Sequence, residues 1–191
     1  MDSVFAYKRS AILLLLIALC AGFALSDLRI DTWAALLPFF EWMETTPFGV
    51  IGKTWGAAFA AVEAVHLLSM AVLGGAVLVG DGRLLGWVFA DQPLRQVQDQ
   101  CHRVFVWSLA VVVFTGVFMA CGVAMKIYYL PVFWYKMLAL ATGTLFAFFI
   151  RRPLVSAPGE IAPVTRRLVA VASVVVWFSV AATGRWIGFS G

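Results

Sequence analysis

Between Thr54 and Gly86 the chain reads TWGAAFAAVEAVHLLSMAVLGGAVLVGDGRLLG, long and apolar enough to cross a bilayer yet carrying Glu63 and His66 one helical turn apart. A spanning helix needs roughly 20 apolar residues. An ionisable side chain set in hydrocarbon is costly even on lenient insertion scales, so it needs a compensating partner or a function. The remainder of the sequence reads as the bundle built around this helix.

The 191 residues are 63% hydrophobic and 13% charged, with a mean hydropathy of +0.95, far outside the range of soluble domains. Five crossings would use about 100 residues and leave only short loops. The sequence therefore predicts a single all-α membrane domain over 1–191, an integral membrane helical bundle. Its five transmembrane helices are expected at about 11–26, 54–80, 104–123, 132–150 and 168–187, with one interfacial amphipathic segment at about 31–46.

Lys8 and Arg9 precede the apolar run 11–26, which also has the shape of a signal peptide. Leu19 before Cys20 is too large for a lipoprotein cleavage site, so the run reads as a retained first helix. In the next segment Trp33, Leu36, Leu37 and Phe40 recur at helical spacing among Asp31, Glu41 and Glu44, while Pro38 interrupts. That pattern predicts a broken amphipathic helix lying in the interface. The GDGRLLGW after the second crossing is expected to bring Asp81 and Arg83 to the surface, and 91–100 to form a loop or a short extension of the next helix. Lys126, Tyr128, Tyr129 and Pro131 mark a headgroup-level turn. Arg151, Arg152 and Pro153 are expected to stop the fourth crossing, and Gly184, Arg185 and Trp186 to end the fifth.

The formal charge of +4 does not point to nucleic acid, because the basic residues stand at the ends of apolar runs. With the N-terminus cytoplasmic, Lys8, Arg9, Arg83, Arg95, Arg103, Arg151, Arg152, Arg166 and Arg167 lie inside, nine against the five of Arg29, Lys53, Lys126, Lys136 and Arg185. The split favours N-in and C-out. Cys20, Cys101 and Cys121 have no paired spacing and form no disulfide framework. Small residues at Ala71, Gly74, Gly75, Thr115, Gly116, Ala141, Thr142 and Gly143 suit close helix packing.

Glu63 and His66 project from one side of their helix, with Phe59 and Met70 continuing the stripe. His66 is a candidate metal or haem ligand, with Glu63 orienting it, balancing charge or moving a proton. The plainer reading is a histidine hydrogen-bonded within the bundle. His102 cannot share an iron with His66, since about 14 residues of helix, roughly 20 Å of depth, separate His66 from the inner end. With Cys101 and Arg103, His102 reads as a loop or headgroup-facing residue. Met70, Met119 and Lys136 are the candidates for a second ligand. Lys136 and Arg185 bring two cations to the outer level, suited to haem propionates, a quinone carbonyl or an anionic lipid. They could equally snorkel or pair with Glu63, Glu41 or Glu44. No phosphate loop, nucleophile elbow, HExxH or paired-cysteine zinc spacing is present.

The order ExxHLL from Glu63 to Leu68, GDGRLLGW, Thr115 with Gly116, FWYKML from Phe133 to Leu138 and GRWIGF from Gly184 to Phe189 resembles a family of small bacterial inner-membrane proteins of uncharacterised function. The likeness spans most of the chain from Pro47 onward and implies a multi-pass inner-membrane location, but no reaction. More distantly, a histidine followed by small residues in an early helix and a lysine followed by leucines in a later one is similar to CopD-type copper-resistance proteins and the HemJ-type membrane protoporphyrinogen oxidase. That relation implies a bundle in which His66 ligates haem or copper with Lys136 nearby. The chain departs from the oxidase pattern at Phe148 and Phe149, where a histidine would stand, which puts oxidase activity in doubt.

The leading expectation is an inner-membrane protein that holds a redox cofactor, haem b, for electron transfer with a partner or quinone. His66 would be the ligand, Glu63 its neighbour, and Lys136 and Arg185 the anion-binding pair. Copper or proton transport along Glu63, His66, Met70 and Met119 is the alternative, thioether and imidazole being suited to Cu(I). A structural or assembly subunit of a larger membrane complex is the third.

Overall fold

Backbone in hydrocarbon has no water to bond, so a spanning chain that is not a barrel must be helical. The computed structural model describes residues 28–157 and 161–190 together with Gly22, Leu25 and Ser26, and among these no strand occurs. Most of the expected first crossing at 11–26 lies outside the described residues. The chain divides into two compact units, 1–42 and 43–191.

Helix α1, Leu28–Thr45, runs through Pro38 without a break. A proline removes one backbone hydrogen bond, and the helix continues to Thr45 beyond it. Its apolar residues are spread around the axis instead of forming one face, so the expected broken, amphipathic character is not observed. Thr46 then caps α2, Pro47–Thr54, by accepting the Gly49 N–H at 3.1 Å, with Pro47 in the first turn where its missing N–H costs nothing.

Among the described residues four helices are long and apolar enough to cross a membrane, the make-up of a multi-pass membrane protein in contact with lipid. The first is α3, Gly56–Leu85. It outruns its expected end at 80 because the stop comes at Gly86, whose φ of 80° supplies the left-handed cap. Asp81 is thereby kept inside the helix and fully buried, where the sequence placed it at the surface. The second is α4, Leu94–Gly122, which absorbs most of the polar stretch 91–100 as an extension. His102 is accordingly within a helix and half-buried, its ring stacked on Phe105 and edge-on to Phe148, and not in a loop.

A short helix α5, Ala124–Tyr128, makes the next turn. The third span, Pro131–Ser156, consists of α6, Pro131–Leu145, a π turn at Phe146–Arg151 and α7, Arg152–Ser156. Arg151, Arg152 and Pro153 do not stop it. A proline clashes with the carbonyl four residues earlier, here Phe149, and that carbonyl falls within the widened π turn. The fourth span is α8, Pro163–Ile187.

Close contacts fix the order and registers of the spans. Helix α3 packs between α4 and α8, and α8 packs against α6. Antiparallel pairing sets His66 opposite Thr115 and Gly80 opposite Cys101 between α3 and α4, and Lys136 opposite Gly184 and Gly143 opposite Trp177 between α6 and α8. A dry layer of Leu73, Ala76, Val77, Phe105, Leu109, Ala147, Trp177 and Val180 fills the middle of the bundle.

At the end of the bundle near Thr46, hydrogen bonds from Lys53 Nζ at 2.5 Å and then from the Met125 N–H at 3.1 Å hold the Glu44 carboxyl below its usual range. A carboxylate favoured in the fold contributes stability above its unfolded pKa and loses it as pH falls through the folded value. Glu44→Gln is therefore expected to lower the thermal midpoint in detergent at neutral pH, with the gap from wild type closing below about pH 4. A gap that persists undiminished at acid pH would show that the carboxylate charge is not what Glu44 contributes.

Candidate functional site

His66 lies in α3 ten residues past its start at Gly56, with only 6% of its surface exposed. Its Nδ1 is 2.8 Å from Thr115 Oγ1 on α4. The next residue, Gly116, lets α4 approach: a Cβ there would stand 3.3 Å from His66 Cε1, so any side chain would press on the ring. Thr115 Oγ1 also lies 2.7 Å from the Val111 carbonyl and 3.2 Å from that of Val112, so its proton has acceptors on its own helix and its oxygen can accept from the ring. In the tautomer protonated at Nδ1, Nε2 carries the lone pair.

Lys136 enters from α6. Its methylene chain lies along the Gly184 backbone, where a Cβ would come within 3.6 Å of Nζ. Its charge is felt at His66, and no acceptor for its ammonium is found among the described residues. Lys136 and His66 thus lie within electrostatic reach of each other.

The other expected members stand apart. Glu63 is exposed, and the His66 Nδ1 partner is Thr115, so the orienting role expected of Glu63 falls to α4. Three residues turn a helix by about 300°, enough to set His66 inward while Glu63 faces out. Arg185 is also exposed and folds along its own helix end, its guanidinium carbon 4.3 Å over the Phe189 ring, and makes no pair with Lys136. Met70 and Met119 are half-buried. Because α3 and α4 are antiparallel, the two methionines lie one turn to opposite sides of the His66–Thr115 level, about 12 Å apart along the axis. No group of three His, Cys, Asp or Glu that could hold a metal ion occurs among the described residues.

A second polar cluster, which sequence reasoning did not assemble, sits at the end of the bundle next to the 86–93 turn. Arg151 Nε donates to Asp81 Oδ1 at 2.8 Å, and Arg151 Nη2 donates to Gln98 Oε1 at 2.9 Å. Gln98 Nε2 donates to the Gly80 carbonyl at 2.6 Å. Gly80 is required there, since a Cβ would be 2.5 Å from Arg151 Nη2. Ser173 on α8 faces Asp81, yet Asp81 Oδ2 and Ser173 Oγ both lack a formed hydrogen bond. The available signal was an aspartate between two glycines at one helix end and an arginine at another. The π turn that rotates Arg151 onto Asp81 leaves no such trace.

The two clusters are fifteen residues apart on α3, His66 to Asp81, or about 22 Å. The dry layer lies between them.

A family model described as a family of unknown function (DUF6644) matches residues 39–190. No curated protein and no solved structure matches the chain. The likeness to CopD-type and HemJ-type proteins is not shown by these comparisons.

Breaking a buried ion pair strands the remaining charge, at a cost of about 3–5 kcal/mol. Asp81→Ala should therefore destabilise the protein by that order in detergent melts, whereas Asp81→Leu with Arg151→Met should recover most of the loss. Equal destabilisation by the single and double variants would mean that the pair is not the feature holding the Asp81 end of the bundle.

Proposed function

The chain belongs to the family DUF6644, and from that premise we propose that it is a bacterial inner-membrane redox protein holding haem b at His66 in the outer half of the bundle. Electrons would pass to or from a membrane partner or quinone. The reading is supported above all by the His66 hydrogen bond: an imidazole buried in a spanning helix, with Nδ1 2.8 Å from Thr115 Oγ1, which leaves Nε2 as the ligand atom when Nδ1 carries the proton. An imidazole ligand whose second nitrogen is hydrogen-bonded is how metal-binding histidines are held in one tautomer and orientation.

The donor set fits one axial ligand and one charge partner. His66 Nε2 would bind the iron, Thr115 would orient the ring, and Lys136, a cation without an acceptor among the described residues, would pair with a propionate. Haem b when bound supplies the one-electron chemistry. The chain's contribution is ligand identity, charge and exclusion of water.

In this reading the segment 11–26 makes a fifth crossing, 31–46 lies at the interface, the N-terminus is cytoplasmic and the C-terminus periplasmic. The excess of arginine around the 86–93 and 157–162 turns supports that orientation. Copper at the same Nε2 is the less supported ligand, because the helix register lets at most one of Met70 and Met119 reach the His66 level. Conduction of protons or copper is less supported again, since the dry layer interrupts any polar path from His66 to Asp81.

Protein purified from cells supplied with iron and a haem precursor should show a Soret band that His66→Ala abolishes. Thr115→Val should keep the band and raise the reduction potential, because without the acceptor the ring is a less basic ligand and stabilises the oxidised iron less. No Soret absorbance, or a spectrum indifferent to His66→Ala, would sink the proposal. Stoichiometric copper in its place would move the same site to the second ligand.

A further inference from the structure

On α4 the residues Arg95, Asp99, Arg103, Trp107, Val111 and Phe114 recur at steps of four, four, four, four and three, a stripe that slopes around the helix by about 40° with each step of four. The stripe faces outward: Arg95 and Arg103 are exposed, as are Trp107, Val111 and Phe114. It is sorted by polarity, with charge confined to the end next to the 86–93 turn and apolar surface above it.

The charged end is not neutral. Its one carboxylate, Asp99, accepts from Arg152 Nη1 of α7 at 2.6 Å. Arg95 and Arg103 lie within electrostatic reach of the same carboxylate but form no ion pair among the described residues. Three guanidinium groups thus surround one carboxylate already held by the third, leaving a local excess of two positive charges. Arg95 and Arg103 are eight residues apart, about 12 Å along the axis, a gap that two flexible arginine side chains can close on one shared anion. At this end α4 meets the third span through α7, and just above it the rings of His102 and Phe105 pack against Phe148, so the exposed side of α4 carries the arginines and the apolar residues above them.

We propose that this stripe is a binding site for an anionic phospholipid of the leaflet beside the 86–93 turn. The phosphodiester is held by Arg95 and Arg103, and an acyl chain lies along Trp107, Val111 and Phe114. Arg152 contributes indirectly, since by occupying Asp99 it neutralises the carboxylate that lies between the two arginines. Planar guanidinium forks suit phosphate oxygens, and arginines at this depth are drawn to anionic headgroups. The site stands on its own geometry and does not depend on what His66 holds.

The test uses the full-length protein in lipid nanodiscs of phosphatidylcholine mixed with phosphatidylglycerol, with native mass spectrometry counting the lipids retained. Wild type should retain phosphatidylglycerol over phosphatidylcholine. Arg95→Gln with Arg103→Gln should lower that preference at least about tenfold, and Arg103→Lys should keep most of it. Arg83→Gln, at an arginine that instead binds the Gln92 carbonyl, should leave the preference unchanged. Trp107→Ala should reduce retention of both lipids alike, and inorganic phosphate should displace neither. Equal retention of the two lipids by wild type, an unchanged preference in the double variant, or displacement by inorganic phosphate would each overturn the assignment. So would an acidic protein retained on the stripe in place of lipid.

Discussion

A polar side chain in hydrocarbon can bond only to other protein groups, and in this bundle that requirement selects which helices touch and where. Arg151 reaches Asp81 on α3 and Gln98 on α4 from the later part of the third span, so three spans are tied at one level by two hydrogen bonds. Gln98 then closes on the Gly80 carbonyl. Lipid tails are as apolar as leucine, and apolar packing alone gives weak preference for one register over the next. Polar ties of this kind distinguish the observed register from one slipped by a turn, which would leave a guanidinium and a carboxylate both buried and alone.

Glycine placement follows from the same requirement. Gly80 and Gly116 are not generic small residues for helix approach. Each stands where a side chain is being admitted, the Arg151 guanidinium in one case and the His66 ring in the other. Gly143 serves the different purpose of seating the Trp177 indole between α6 and α8. Within one bundle, then, glycines support both polar contacts and apolar packing, and their sequence context alone does not separate the two uses.

The helical class, four of the spans and the burial of His66 within one of them were legible because hydropathy and an ionisable residue in an apolar run are local signals. The ends of helices were not. Asp81 looked like a surface residue because a charge between glycines usually closes a span, yet the stop is the left-handed Gly86 five residues later. Arg151 and Arg152 looked like a terminator, and the π turn carried the helix past them. The partner of His66 was also hidden: Glu63 is three residues away in sequence, whereas Thr115 is forty-nine residues away and is brought opposite only by the antiparallel pairing of α3 and α4. Contacts between helices depend on register, and register is set by many weak preferences that no single stretch displays.

The two polar clusters differ in what they leave unused, and that difference separates scaffold from site. At the Asp81 end the strong groups are spent on one another: guanidinium on carboxylate and amide, amide on carbonyl, with Asp81 Oδ2 and Ser173 Oγ the residue of an otherwise closed network. At the His66 end the accounting does not close: Lys136 holds a cation for which the described residues provide no acceptor, and the described hydrogen bond of His66 uses only Nδ1. A ring nitrogen with a lone pair calls for a donor or a Lewis acid, and a half-buried ammonium calls for an acceptor or an anion. A group offering both a Lewis-acidic centre and a carboxylate would meet both demands at once, and the dry layer beneath would keep it isolated from the other face of the membrane.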